Sequence, residues 1–394
     1  MVDGDERVSS QLDIIDCCVH QAWASPIEVV DYLDRGWHEF VISRFTVDWQ
    51  DHLRGRGERP AVMGPNPLTP MHAYRYPGPA KLAGGNGHPD ASVTTDPARL
   101  VDEYLAPRGI ARAVMCNDVA MMIPGLPNPR LSVALSRAIN DWTVDRWLGD
   151  SSGRLCGTVV VPNQIPEDAV AEVRRVGSHP GMVGVLMAAN GLGKPFGHPA
   201  YHPIYAAAEE LDLPIIIHAG PEGSMDSLST AHDGGAASTY AAYSALISHS
   251  TANHVSSLIA QGVFDRHPQL RVLLVGSGAA WVTPFLWKFD TNFKGARGDA
   301  PWMTKLPSDY FRAHFKIAAY PVDPVPRTDQ LQKYYEALGG FEELLCFASG
   351  FPSYDAVEVD TWEELLSSSW QRKVMHDNAE ALFSWPSDGS DPTV

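Results

Sequence analysis

The sequence predicts a closed α/β barrel, a (β/α)8 TIM barrel with a long insertion between strands one and two, built as a single domain over residues 1–394. Two observations predict it. Eight short apolar or β-branched runs recur along the chain, each continuous rather than alternating, as a parallel sheet buried on both faces requires. Helix-forming segments separate them, and alternation repeated about eight times favours a closed barrel over an open doubly wound sheet.

The first run is Leu12–Cys18 (LDIIDCC), and about ninety residues separate it from the second, Ala111–Cys116 (ARAVMC). The insertion therefore spans approximately 21–110, and its stretch Arg59–Pro89 is crowded with proline and glycine. Connections of that length serve as lids or oligomer arms, or are disordered. The third run, Leu155–Val161 (LCGTVVV), precedes Pro166–Val176, where a proline and two acids mark a helix start. Met182–Met187 (MVGVLM) is the fourth run. Tyr205–Leu211, rich in helix formers, leads to the fifth, Pro214–His218 (PIIIH). Ala252–Phe264 has helical spacing and stops at Pro268, ahead of the sixth run, Arg271–Val275 (RVLLV). Phe315–Ala319 (FKIAA) and Leu344–Ala348 (LLCFA) complete the set.

A formal net charge of −17 argues against nucleic acid or an anionic membrane as partner, because both need clustered Lys and Arg. No apolar run approaches the roughly 20 residues that cross a bilayer. The acidic start MVDGDERVSSQLD is unlike a secretory signal. The five cysteines, Cys17, Cys18, Cys116, Cys156 and Cys346, lie in or beside apolar runs, which predicts reduced buried thiols and a cytoplasmic protein.

Barrel active sites stand at the C-terminal ends of the strands. The first strand ends in Asp16-Cys17-Cys18-Val19-His20, where alternation puts residues 16, 18 and 20 on one face. Cys18 and His20 there offer one sulfur and one imidazole to a single ion, and His218 ends the fifth strand. Strand six runs into Gly276-Ser277-Gly278 and strand eight into Ser349-Gly350, with no donor at either glycine. His249, His254 and Asp355 are weaker metal candidates: the histidines stand five apart on a helix approach, and Asp355 lies several residues past its strand. No nucleophile elbow, phosphate-binding glycine loop or C-x-x-C pair is present.

With these residues the chain resembles the amidohydrolase-related family, in its decarboxylase branch similar to aminocarboxymuconate-semialdehyde decarboxylase, from Ile14 to about Phe383. The segments that carry the resemblance are Leu126–Trp147, HPAYHPIYAAAEELDLPIIIHAG (198–220), SSLIAQGVFDRHPQLRVLLVGSGAAW (256–281), LLCFASGFPSYD (344–355) and the closing Asn378-Ala379 with Leu382-Phe383. The family pattern D-x-H-x-H or D-x-[DE]-x-H matches at Asp16 and His20, with Cys18 in the first ligand's place, and its strand-five histidine is His218. Where the family carries a strand-six Glu and the Asp of S-D-x-P-H, this chain has Gly276 and Gly350, and Ser353 replaces the final His. The resemblance therefore implies a metal site without its general base and without the carboxylates that bridge two ions.

Two functional readings follow, both with a small-molecule substrate and at most one divalent ion per chain, held by Cys18, His20 and His218, with zinc favoured by the thiolate. In the first, the chain is a degenerate subunit of a hetero-oligomer with a paralogous barrel that carries the full site and holds iron or manganese, as in amidohydrolase-fold oxygenases of the 2-aminoisobutyric acid hydroxylase type. Trp142, Trp147, Trp281 and Trp287 are then candidates for the contact surface. In the second, it is a self-sufficient mononuclear hydrolase or decarboxylase of a small carboxylate. A metal-free binding barrel is a third, weaker reading.

Overall fold

The computed structural model of the chain describes residues 12–24, 26–42, 91–126, 128–149, 153–189, 193–219, 240–323, 327–337, 339–353 and 356–386. Eight parallel strands follow one another in chain order around a single sheet: β1 (Ile14–Gln21), β2 (Ile110–Asn117), β3 (Leu155–Val160), β4 (Met182–Ala188), β5 (Ile215–His218), β6 (Val272–Val275), β7 (Phe315–Ala318) and β8 (Leu345–Cys346). They are the eight runs read from the sequence, with ends moved by three residues at most. β1, β3 and β4 are buried at every position, which is why their runs are apolar without alternation. The seam between β8 and β1 is closed by backbone bonds: Cys17 N–H to Phe347 O (2.9 Å), Gly350 N–H to Cys18 O (3.0 Å) and His20 N–H to Phe351 O (2.7 Å).

The main helices are α1 (Pro129–Thr143), α2 (Pro166–Val176), α3 (His202–Glu210), α4 (Tyr240–Ala260), α5 (Val282–Gly295), α6 (Pro307–His314), α7 (Leu331–Glu336) and α8 (Val359–Leu365). Asn128 caps α1, its side chain accepting the N–H groups of Arg130 and Leu131 ahead of a first-turn proline. α2 carries Glu167 and Asp168 in its first turn and Arg174 and Arg175 in its last, the order that opposes the helix dipole. Buried Asn140 ties α1 to its neighbours. Its amide donates to Val160 O (2.9 Å) and Glu172 Oε1 (2.7 Å), and its oxygen accepts Val160 N–H. The helix expected over Ala252–Phe264 begins earlier, as α4, and breaks at Gly262, whose φ of +73° suits glycine; a short helix, Val263–Arg266, follows.

Residues 22–109 lie between β1 and β2, with short 3-10 helices at Pro26–Tyr32 and Ala91–Thr95, and the Pro- and Gly-rich stretch 59–89 falls outside the described residues. Two of the tryptophans read as contact candidates are core instead. Trp142 and Trp147 are buried, with ring centroids 5.8 Å apart, and Trp142 also meets Trp23 edge-on. Trp281 is half-buried and Trp287 is exposed. All five cysteines are buried free thiols. Among the described residues, no helix is long and apolar enough to cross a membrane.

Candidate metal centre

The site grows from the seam. The β1–β2 register slips between Asp16 and Val19, so strict alternation fails there. Asp16 Oδ1 accepts the backbone N–H of Cys18 (3.0 Å) and of Ser349 (3.0 Å), locking β1 to the chain leaving β8. Burial pushes its carboxyl up to about 6 despite those bonds. Asp16 thus acts on backbone, while Cys18 and His20 converge on His218 at the C-terminal ends of β1 and β5.

Cys18 Sγ lies 3.5 Å from His20 Nε2 and 3.6 Å from His218 Nε2, and the three donor atoms are all within 4.8 Å of one another. Tetrahedral zinc, with bonds of about 2.3 Å to sulfur and 2.0–2.1 Å to nitrogen, would separate such donors by about 3.6 Å. The spacing therefore fits one small cation. His218 Nδ1–H donates to Ala219 O (2.6 Å), which leaves the Nε2 lone pair facing Cys18. The Cys18 thiol is pushed well above its ordinary range, by its hydrogen bond to Cys116 and then by burial. Without a cation the thiol stays protonated between the imidazoles; a bound cation reverses that preference. The cluster is the only such group of three donors among the described residues.

The rim from β6 to β8 is built of packing. Gly276, at φ +79°, sits against His218: a Cβ there would stand 3.2 Å from the ring's Cε1. Gly350, at φ +65°, faces the Tyr320 ring so closely that a Cβ would lie 2.2–2.5 Å from three of its carbons. Tyr320 therefore fills the space a side chain at 350 would need. Asp323 accepts the N–H groups of Ala279 and Ala280 (3.0 Å each) and the Tyr335 hydroxyl (2.6 Å), and burial raises its carboxyl above the usual range. The Gly278 N–H donates to Tyr320 O (3.3 Å). Nothing local in the sequence marked Tyr320 or Asp323, since both act through contacts with distant loops.

The weaker candidates do not join the three donors. His249 is exposed on α4. His254 is buried; its Nδ1 accepts Phe196 N–H (3.1 Å), its ring stacks on Phe196 at 4.0 Å, and burial lowers it to about 4. Asp355 lies outside the described residues. Asn163 Nδ2 and Oδ1 and Ser277 Oγ are buried without hydrogen-bond partners among the described residues. They follow β3 and β6 on the side where barrels bind ligands, and buried polar groups of that kind call for a partner.

The amidohydrolase family model matches residues 116–385, and the chain belongs to that family. It is 26% identical over 285 residues to γ-resorcylate decarboxylase of Rhodococcus jostii (strain RHA1), covering 67% of this chain and 80% of the relative. Its fold is similar to that of an amidohydrolase from Mycobacterium avium subsp. paratuberculosis K-10, with a TM-score of 0.67 at 19% identity over 94% of this chain and 98% of that one. It is also similar to 5-carboxyvanillate decarboxylase of Novosphingobium aromaticivorans, solved with bound manganese, with a TM-score of 0.66 at 19% identity over 94% and 97% of the two chains.

Proposed function

We propose that this chain is a mononuclear, metal-dependent decarboxylase of a small aromatic carboxylate. The observation that carries the reading is the convergence of Cys18, His20 and His218, spaced for one cation, beside strand ends where Gly276 and Gly350 bring no carboxylate. Hydrolysis needs a group to take the proton of the attacking water, and position 350 is glycine walled by Tyr320. Decarboxylation needs no such nucleophile: the bond from ring carbon to carboxylate breaks, carbon dioxide leaves, and the electron pair left on the ring carbon takes a proton from water. Cys18, His20 and His218 would hold the cation, which would supply positive charge against the substrate's oxygens. Asn163 and Ser277 offer hydrogen bonds to a polar ligand from the same end of the barrel.

The decarboxylase relatives and the manganese-bound neighbour support a self-sufficient enzyme over an oxygenase subunit. For the metal itself, a thiolate ligand favours zinc over the manganese of that neighbour. The hetero-oligomer remains the second reading, favoured by the glycines at 276 and 350. The test is the full-length chain, purified metal-free and reloaded with zinc or manganese, assayed for carbon dioxide release from γ-resorcylate and 5-carboxyvanillate. Release that depends on metal and is lost in His218→Ala supports the proposal. A chain that binds metal but releases nothing until mixed with a paralogous barrel supports the subunit reading instead.

A further inference from the structure

His202, Tyr205 and Glu209 stand three and then four residues apart on α3, so they share one face, and that face meets the segment that enters β6. Glu209 accepts twice from that segment: His267 Nδ1–H at Oε2 (2.8 Å) and Gln269 N–H at Oε1 (3.0 Å). A carboxylate only accepts, so the His267 proton sits on Nδ1 and its Nε2 keeps a lone pair. His202 Nδ1 stands 3.0 Å from that lone pair and donates to it. The two imidazoles are buried and stacked with centroids 5.1 Å apart, and the Tyr205 ring lies edge-on to both. This chain of carboxylate, imidazole and imidazole can house one more proton, on His202 Nε2, without breaking. A second cannot enter: both facing nitrogens would then carry hydrogens across 3.0 Å, and two buried cations would share one carboxylate.

We propose that Glu209, His267 and His202 form an acid-sensitive clasp, which fastens α3 to the lead-in of β6 while the imidazole pair holds at most one proton and opens when both are charged. Its surroundings give no relief. Arg266 adds positive charge beside His202, and Asp265 is taken up by the Tyr310 hydroxyl (2.7 Å). On α6, His314 donates Nδ1–H to Leu270 O (2.9 Å), and burial holds it below its ordinary range. His202 is held below its ordinary 6.5 by burial, then by His267 and Arg266. Its share of stability is therefore whole above 6.5 and is lost as pH falls below that value. The entries of β5 and β6 lie beside the clasp, where Ile215 N–H bonds Arg271 O (2.9 Å) and Arg271 Nη2 bonds Asp212 O (2.7 Å). Opening thus loosens the start of the strand pair that carries His218 at its far end. None of the clasp's groups belongs to the metal cluster, so it stands apart from the decarboxylase reading.

Hydrogen exchange of the intact wild-type chain, read as protection factors at about pH 7.5 and about pH 5, brackets the histidine range. Protection over residues 202–210 and 263–272 should fall at least about tenfold at the lower pH, against less than about twofold over α1. His202→Asn keeps a donor to His267 but takes no charge, and should hold its protection at both pH values. A fall shared equally by α1, or one that persists undiminished in His202→Asn, overturns the clasp. Nitrogen NMR of histidine-labelled wild-type chain decides without any variant. Protons on Nδ1 of both rings at the higher pH are expected, with two uptake steps more than about two pH units apart. Both rings titrating together near 6.5 would refute the clasp.

Discussion

The two rims of the barrel mouth have the same scaffold and opposite contents. On the β1–β5 side, strand ends present Cys18, His20 and His218 with donor atoms 3.5–3.6 Å from the shared sulfur. On the β6–β8 side, strand ends present glycines, and Tyr320 and Asp323 fill or brace the space. The first rim gathers metal donors, and the second is filled by packing around Tyr320 and Asp323. A strand end therefore fixes where chemistry can occur in a barrel, while neighbouring loops decide whether it does.

The largest expected effect falls on the donor rim. Cys18→Ser combined with His20→Ala should strip the metal entirely, as elemental analysis of the purified chain would read. Retention of one full equivalent would show that the cation sits elsewhere. Two equivalents in the wild-type chain would contradict the single-ion site just as directly.

The packed rim should respond in stability. Gly350→Asp forces a side chain into the Tyr320 ring at a left-handed φ, which should cost about 3 kcal/mol in urea denaturation. Adding Tyr320→Ala should return part of that loss at residue 350, even though it opens a cavity of its own. If Gly350→Asp proves neutral, Tyr320 is not what closes this rim. Asp323→Ala removes an acceptor from two buried N–H groups and a hydroxyl, and a cost of about 2 kcal/mol is expected by the same measurement.

The effect that is smallest at any one pH step concerns His254, which α4 packs against Phe196. Burial holds it at about 4, below the ordinary 6.5. As pH falls through 6.5 the unfolded chain takes up a proton that the folded chain refuses, so stability drops by at most about 1.4 kcal/mol per pH unit until about 4. Above 6.5 this contribution is fully present. Denaturation curves across that window should be flatter for His254→Gln than for the wild-type chain; parallel profiles would show that His254 is not held neutral.

Much of this was legible in the sequence because the signals were local. Continuous runs such as Met182–Met187 and Phe315–Ala319 mark strands buried on both faces, and their ends delivered Cys18, His20 and His218 to one place. Gly276 and Gly350 were recognisable as lost donors, but what replaced them was not. Tyr320 meets Gly350 across two strands, and Asp323 reaches the loop after β6, contacts that no spacing rule encodes. Trp142 and Trp147 misled as contact residues because a large aromatic reads alike in an interface and in a core.

Asp16 bonds Cys18 and Ser349 across 333 residues of sequence. Contacts of such separation carry a large loop-closure entropy and form slowly. Until the segment around Ser349 has docked, nothing on that side fixes the backbone that presents Cys18. A chain still short of this segment lacks the second backbone group that Asp16 ties down, so the setting of Cys18 is complete only once the last strand has closed on the first.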